Sequence, residues 1–465
     1  MNTTSHLEKP VVAALVEALG DSCVLLGDDV TSRGAGIWRS DNIAAQVLVR
    51  PRTTEEVSTA LSICHKYQQP VVTHGGLTGL VEGAITTDAD VVLSTERMNQ
   101  VESINPDERL MVVQSGVVLQ TLQEAAAEHG LMFPLDLGGR GTCTIGGNIS
   151  TNAGGNRVIR YGMTRDMVLG LEAVLADGTV ISSMNHMIKN NAGYDLKQLF
   201  MGTEGTLGVV TRAVLRCRAE PLSQPTLMVG VESFANLVAV LKEADRQLQG
   251  TLSAFEVMWN NYYSLVTTPP APNAPPMAST YPYYVLIEAI GASDELVGEV
   301  FGELYDKGLV ADVVLAQSEQ QRLQLWGIRD AVDQAMNLGP VFLFDVSLRI
   351  PLMQTYVEEV DAGLQAQFPN VQNFVLGHMG DGNLHFAIHV GDGSEQARRK
   401  VEACVYEPLA SRGGSVSAEH GVGLEKKPYL HIARDQAEVQ LMRTLKQALD
   451  PLNLLNRGKI FEWSE

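Results

Sequence analysis

His74-Gly75-Gly76-Leu77-Thr78-Gly79, set between the apolar runs Val71–Thr73 and Val91–Ser94, decides how the first third of this 465-residue chain is read. Upstream lie an apolar strand at Val47–Val49 and a helix opened by the capping-box pattern Thr53…Glu56. The segment therefore reads β-α-β, with a glycine loop directly after the second strand. That loop leads into another strand and not into a long helix, and no complete GxGxxG occurs in the chain. Both facts disfavour a nicotinamide-type dinucleotide fold. Glycine returns in a second dense stretch, Gly138 to Gly155, and in a third holding Gly202, Gly205 and Gly208. A pyrophosphate needs several backbone N–H donors close at hand, and side chains block that approach, so glycine is the physical choice for such loops.

Beyond about residue 220 the texture changes to strands and amphipathic helices in alternation. Strand 226–231, helix 233–247 and strand 253–258, then strand 283–290, helix 293–307 and strand 311–316, suggest two split β-α-β units on one antiparallel sheet. The proline-rich stretch Pro269–Pro282 between them reads as a surface loop. Strand 341–350, a helix, and the pair 372–378 and 384–390 follow, and the tail from about 421 reads as helical. The expected class is α+β, with domains at 1–220 and 221–420 and a C-terminal helical segment, 421–465, packing back on the first.

Fifty-four acids against 34 bases, a net charge of −20, would repel a phosphate backbone, so no nucleic-acid partner is expected. The five cysteines are scattered without a CxxC pair. Neither a disulfide framework nor an iron–sulfur site is written here, and a cytoplasmic location is expected. No stretch reaches the roughly 20 apolar residues of a transmembrane segment.

The strongest chemical signal is Gly377-His378-Met379-Gly380-Asp381-Gly382-Asn383-Leu384-His385. Two apolar strands flank a turn rich in Gly, Asp and Asn, so a hairpin would set His378 and His385 side by side as a natural pair of metal ligands. Asp381 or Asn383 is placed to orient the rings. Downstream, Ser417-Ala418-Glu419-His420-Gly421-Val422-Gly423 offers a carboxylate and a third histidine beside glycines that permit a tight bend. A three-ligand site would leave a coordination position open.

Two resemblances gather these features. His74 to Gly79, then Pro134-Leu135-Asp136 with Ile145-Gly146-Gly147-Asn148 and Thr151-Asn152-Ala153-Gly154-Gly155, then Gly193-Tyr194-Asp195-Leu196-Lys197 and Gly202-Thr203-Glu204-Gly205-Thr206-Leu207-Gly208, resemble the PCMH-type FAD-binding domain of the vanillyl-alcohol oxidase superfamily. The resemblance implies that His74, Gly75, Gly76, Leu77, Thr78, Gly79, Pro134, Asp136, Gly138, Thr142, Gly146, Gly147, Asn152 and Gly154 line the FAD. Glu204, Gly208 and Val209 would hold its adenosine side, and Asn456 in the tail Asn456-Arg457-Gly458-Lys459 would complete the site. Leu77, where covalent members carry histidine after the paired glycines, implies noncovalent FAD.

GHxGDGNxH and SAEHGxG, both unbroken here, resemble the D-2-hydroxy acid dehydrogenase branch that includes D-lactate and D-2-hydroxyglutarate dehydrogenases. That branch implies His378, His385 and Glu419 as ligands of zinc or manganese, His420 as the base, and Arg329 as the group that binds the substrate carboxylate. Three polar positions that meet a second carboxylate in the hydroxyglutarate enzymes align here with Asp333, Leu343 and Ala387. The expected substrate is therefore a D-lactate-like monocarboxylate. D-2-hydroxyglutarate dehydrogenase or a glycolate oxidase-type subunit is the alternative. A metallohydrolase and a subunit that only relays electrons are the readings from other classes. Electron-transfer flavoprotein, a quinone, a cytochrome and oxygen all stand as acceptors, and a homodimer is one assembly open to it.

Overall fold

A computed structural model describes residues 9–463. These fall into two compact units. One holds the chain up to Gly154, Met163–Glu220 and everything from Glu419; the other holds Gly155–Gly162 and Pro221–Ala418.

The first unit begins from the β-α-β segment. The helix Thr54–Lys66 is capped as its sequence prescribes: the Thr53 hydroxyl accepts from the Glu56 N–H at 3.3 Å. Glu56 turns its own carboxylate back one residue further than expected, to the Arg52 N–H at 2.7 Å. Val57, Ala60, Leu61 and Cys64, at helical spacing, form the buried stripe, packed with Val47, Val49, Val71 and Val91. The four-stranded sheet has the order Val24–Leu26, Val47–Val49, Val91–Ser94, Val71–His74, its last three strands parallel. The glycine loop thus leaves from the carboxyl end of an edge strand, where backbone is free to face a ligand. A second, antiparallel sheet of five strands runs Val101–Asn105, Leu110–Gln114, Val209–Arg216, Val168–Val174, Val180–Ser183.

The C-terminal tail returns to that edge strand. Leu454 accepts from the Val71 N–H and Asn456 donates back to Val71, so the tail lies parallel beside it. A buried ion pair fastens this return: Lys446 Nζ meets Asp450 at 2.5 Å and donates to the carbonyls of Thr206 and Leu455, while Asp450 accepts from the N–H groups of Leu454 and Leu455. The tail is not helical from its start. Gly421 and Gly423 hold left-handed backbone at φ 87° and 54°, which interrupts a helix. The long helix is Gln436–Leu449, capped by Asp435.

The second unit is a seven-stranded antiparallel sheet in the order Asp312–Leu315, Thr226–Val231, Tyr283–Ala289, Leu252–Trp259, Gln372–His378, Asn383–His389, Val341–Ser347. Ser233 and Ser293 cap the helices Phe234–Gln247 and Asp294–Asp306 that link its strands. The last strand stops at Ser347, three residues short of the expected end, because Pro351 opens a short 3₁₀ turn, Ile350–Leu352. Residues 155–162, which composition groups with the glycine loops, pack in this unit. Arg157 reaches the buried Glu288 at 3.0 Å, and Arg160 donates to the Ile290 and Thr251 carbonyls. Among the described residues no helix is long and apolar enough to cross a membrane.

Because both members of the Lys446–Asp450 pair are buried (3% and 0% exposed), removing one leaves the other charge uncompensated. Lys446→Met should lower unfolding stability by about 3 kcal/mol in denaturant titration. Lys446→Met combined with Asp450→Leu should recover most of that loss.

Candidate active site

In the first unit the glycine loops are closely packed. A Cβ on Gly75 would lie 2.7 Å from Thr144 Oγ1, one on Gly76 2.2 Å from the Thr142 carbonyl, and one on Gly146 2.6 Å from Ser115 Cβ. Leu77 turns the chain in left-handed backbone at φ 56°, and Thr78 lies near Gly139. The Thr144 and Ser115 hydroxyls are buried without a hydrogen-bond partner. Orphaned hydroxyls beside bare glycine backbone fit the diphosphate of a dinucleotide cofactor such as FAD, which takes hydrogen bonds from both. His74 backs the loop: its buried Nε2 lies 2.9 Å from the Ala84 carbonyl, and burial pulls its pKa down to about 4, so the ring is a neutral donor.

The other positions expected around the cofactor serve several ends. Pro134, Gly154 and Val209 are buried, whereas Gly79 and Gly138 face open space. Asp136 pairs with Arg140 at 2.9 Å. Asn152 ends the helix Ile145–Thr151 in left-handed backbone and accepts from the Arg165 N–H. Gly208 clears the Phe200 ring, which a Cβ would meet at 2.8 Å, and Gly147 lies against Thr144. Asn456 accepts from the Thr73 N–H at 2.9 Å and donates to the Glu204 carbonyl at 2.5 Å, tying the tail to the strand that feeds the first loop. Glu204 spends both carboxylate oxygens on backbone, at Val422 (2.7 Å) and Gly423 (2.8 Å).

In the second unit the hairpin forms as its turn residues require, with Gly382 in left-handed backbone at φ 89°. The His378 and His385 rings stand 5.1 Å apart and nearly perpendicular. Each is faced by a buried carboxylate. His378 Nδ1 lies 2.8 Å from Glu256 Oε1, and the other Glu256 oxygen accepts from Arg329 Nε at 2.8 Å. Burial alone would raise the Glu256 carboxyl, but His378 and Arg329 outweigh it and hold the group below its ordinary range. An ionised Glu256 places the His378 proton on Nδ1 and leaves Nε2 as the basic face, here 3.2 Å from Arg329 Nη2.

Asp345 lies directly across the register from His385, 3.9 Å from its Nδ1. It accepts from Asn383 Nδ2 at 2.8 Å and from the Ala418 N–H at 3.1 Å. Asn383 therefore acts on the carboxylate that faces His385. The chain continues from Ala418 into Glu419 and His420. Within this unit His378 and His385, each backed by a buried carboxylate, supply imidazole nitrogens of the kind zinc or manganese takes. Glu256 and Asp345 escaped sequence reasoning, although each is a lone acid in an apolar strand, LSAFEVMW and VFLFDVS. Of the three remaining positions, Asp333 is exposed on the 3₁₀ segment Ala331–Leu338. Leu343 and Ala387 stand opposite one another, two residues along their strands from Asp345 and His385 and so on the same face.

Residues 45–183 match the FAD binding domain family, and residues 220–460 match FAD linked oxidases, C-terminal domain. The mitochondrial D-2-hydroxyglutarate dehydrogenase of Bos taurus is 40% identical over 422 residues, 90% of this chain and 77% of that protein. A mitochondrial protein of Schizosaccharomyces pombe, provisionally named a D-lactate dehydrogenase, is 36% identical over 424 residues, 88% of this chain and 80% of its own. A solved structure of p-cresol methylhydroxylase with substrate bound superposes with a TM-score of 0.74 at 18% identity, covering 96% of this chain and 95% of that one. The fold is the PCMH-type fold of flavoproteins. Within it, the chain belongs to the FAD linked oxidase family.

Gly76 is where a side chain is least tolerable, since its Cβ would drive into the backbone of the second loop. Gly76→Ala should yield a folded protein, judged by circular dichroism, that purifies with little or no flavin absorbance.

Proposed function

We propose that this protein oxidises a small D-2-hydroxy acid to the 2-oxo acid with bound FAD and a divalent cation, His420 acting as base. The His378–His385 hairpin, backed by the buried carboxylates of Glu256 and Asp345, in a chain of the FAD linked oxidase family, carries this reading. FAD, when bound, supplies a two-electron acceptor for a hydride. His378, His385 and Glu419 would hold the cation, zinc or manganese, which supplies Lewis acidity. Such help is needed because an alcohol is far too weak an acid to give its proton to an imidazole with an ordinary pKa of about 6.5. Glu256 and Asp345 orient the two histidines. Arg329, whose Nε and Nη2 are turned to Glu256 and His378, would meet the substrate carboxylate as a positive charge. His420 takes the hydroxyl proton as the C2 hydrogen leaves with its bonding pair, and the C2–O bond becomes a carbonyl.

A monocarboxylate such as D-lactate suits the three substrate-end positions. Leu343 and Ala387 are apolar and pack with the cluster around Trp326 and Ile328, and Asp333 is an acid. A second carboxylate set against Leu343 and Ala387 would be buried without a counter-charge from them, at a cost of several kcal/mol. The relatives favour a second reading, D-2-hydroxyglutarate as substrate. The electron acceptor in either case is a partner outside this chain: electron-transfer flavoprotein, a quinone, a cytochrome or oxygen.

Anaerobic mixing with D-lactate, D-2-hydroxyglutarate and their L-enantiomers tests both readings. A D-acid should bleach the flavin, EDTA should abolish that bleaching, and His420→Ala should block it without loss of bound metal. Bleaching untouched by EDTA would sink the cation's role, and bleaching in His420→Ala would sink the base. D-lactate should reduce the flavin faster than D-2-hydroxyglutarate, and Leu343→Lys should shift the ratio of their kcat/KM values toward the dicarboxylate by about tenfold, roughly one charge-assisted hydrogen bond.

A further inference from the structure

We infer that Glu204 is a positioning residue for His420, acting through the backbone of Val422 and Gly423. The inference rests on His420 as the base. Each oxygen of the fully enclosed Glu204 carboxylate accepts one N–H, Oε1 from Val422 at 2.7 Å and Oε2 from Gly423 at 2.8 Å. Charge-assisted bonds to two consecutive amides fix the direction of the chain two and three residues past His420.

The turn that allows this is written in glycine. Gly421 sits at φ 87°, where a Cβ would come within 2.9 Å of Glu204 Oε1, and Gly423 sits at φ 54°, where a Cβ would meet the Val81 carbonyl at 1.8 Å. The far side of the turn is pinned as well: Leu424 donates to Val81 at 3.0 Å, and Gly423 accepts from the Ile460 N–H at 2.8 Å. Glu204 is itself over-determined. Its N–H donates to the Ser150 carbonyl at 2.8 Å and its carbonyl takes Asn456 Nδ2, which holds it at φ 52°, a costly conformation for a residue with a side chain.

Burying an acid here is unfavourable, and an apolar residue would fill the space at less cost, unless the charge is needed to grip bare amides. Burial does push the Glu204 carboxyl upward, opposed by the two N–H donors and by Lys426 and Lys459. Every group in this clamp belongs to the first unit, which also carries the glycine loops. Glu204 therefore ties the His420 segment to the frame that holds the flavin. A base displaced by about 1 Å loses on the order of 100-fold in rate.

The test is anaerobic single-turnover flavin reduction by D-lactate and by D-2-hydroxyglutarate, in the wild type, Glu204→Gln, His420→Asn and the double variant. Glu204→Gln keeps the shape but can accept only one of the two N–H groups. It should lower the limiting reduction rate by about 100-fold, with FAD content and half-saturating substrate concentration within about twofold of wild type. In the His420→Asn background it should cost less than about twofold further, because the group it aligns is already gone. Glu204→Asp, one methylene shorter, should fall between wild type and Glu204→Gln, and serves if the amide variant does not fold. A wild-type rate in Glu204→Gln, or the same loss in both backgrounds, would overturn the positioning role while His420→Asn still reduces flavin far more slowly than wild type. Wild-type reduction by His420→Asn would remove the base and this inference together.

Discussion

A carboxylate buried on an apolar sheet face is stable only when its charge is shared, and the second unit is organised around that constraint. Glu288, Glu256, His378, His385 and Asp345 occupy five consecutive strands of the seven-stranded sheet, all on the face that also carries Ala254, Met258, Leu286, Leu376 and Ala387. The three acids are fully buried, and each has its partners supplied: Arg157, Gln224 and Ser253 for Glu288; Arg329 and His378 for Glu256; Asn383 and the Ala418 amide for Asp345. Moving one strand by a single residue would turn its charged group to the opposite face and strand the partner. The row therefore helps hold the register that builds it.

The first unit meets the opposite requirement. It exposes main chain where the second exposes side chains, and it does so by removing Cβ atoms where two loops must touch. Gly76 and Gly146 could not be alanine without moving backbone, and Gly75 could not without moving the Thr144 side chain, whereas Gly79 and Gly138 face open space. Glycine content alone does not separate the two groups. Only the approach of residues about 70 positions apart in sequence shows which glycines are obligatory, and that approach follows from pairing the strand Val71–His74 with the returning tail and from packing the second loop against the strand end at Ser115.

What the sequence makes legible is whatever has a short period or a local signal. Strand 226–231 and the helix after it, the Thr53 cap and the hairpin that brings His378 to His385 are all written in short continuous stretches. The roles of Glu256 and Asp345 are written across separations of 38 to 122 residues, because the partners come from strands paired only in the folded sheet. Their one local trace is a charge inside an otherwise apolar strand. The early end of the strand at Ser347 and the late start of the tail helices each have a local cause, Pro351 and the glycines at 421 and 423, outweighed in the sequence by the apolar pattern around them. Residues 155–162 mislead for another reason: they continue a glycine-rich stretch, yet Arg157 and Arg160 answer to groups of the other unit.

The dipeptide Glu419-His420 unites these observations. On its amino side the Ala418 amide is held by Asp345, and on its carboxyl side the amides of Val422 and Gly423 are held by Glu204. Both carboxylates are buried, and both grip the backbone of this segment. On the proposed reading this segment presents two functional side chains with little freedom, and it cannot rely on its own short-range structure, since Gly421 and Gly423 give it flexible backbone and no helix or strand. Buried charges supply the missing rigidity, because a charge-assisted bond in a water-free setting is stronger and more directional than a neutral one. Such carboxylates are invisible to a search for catalytic groups that looks only at what faces a cleft. They are found by asking why an acid is buried at all.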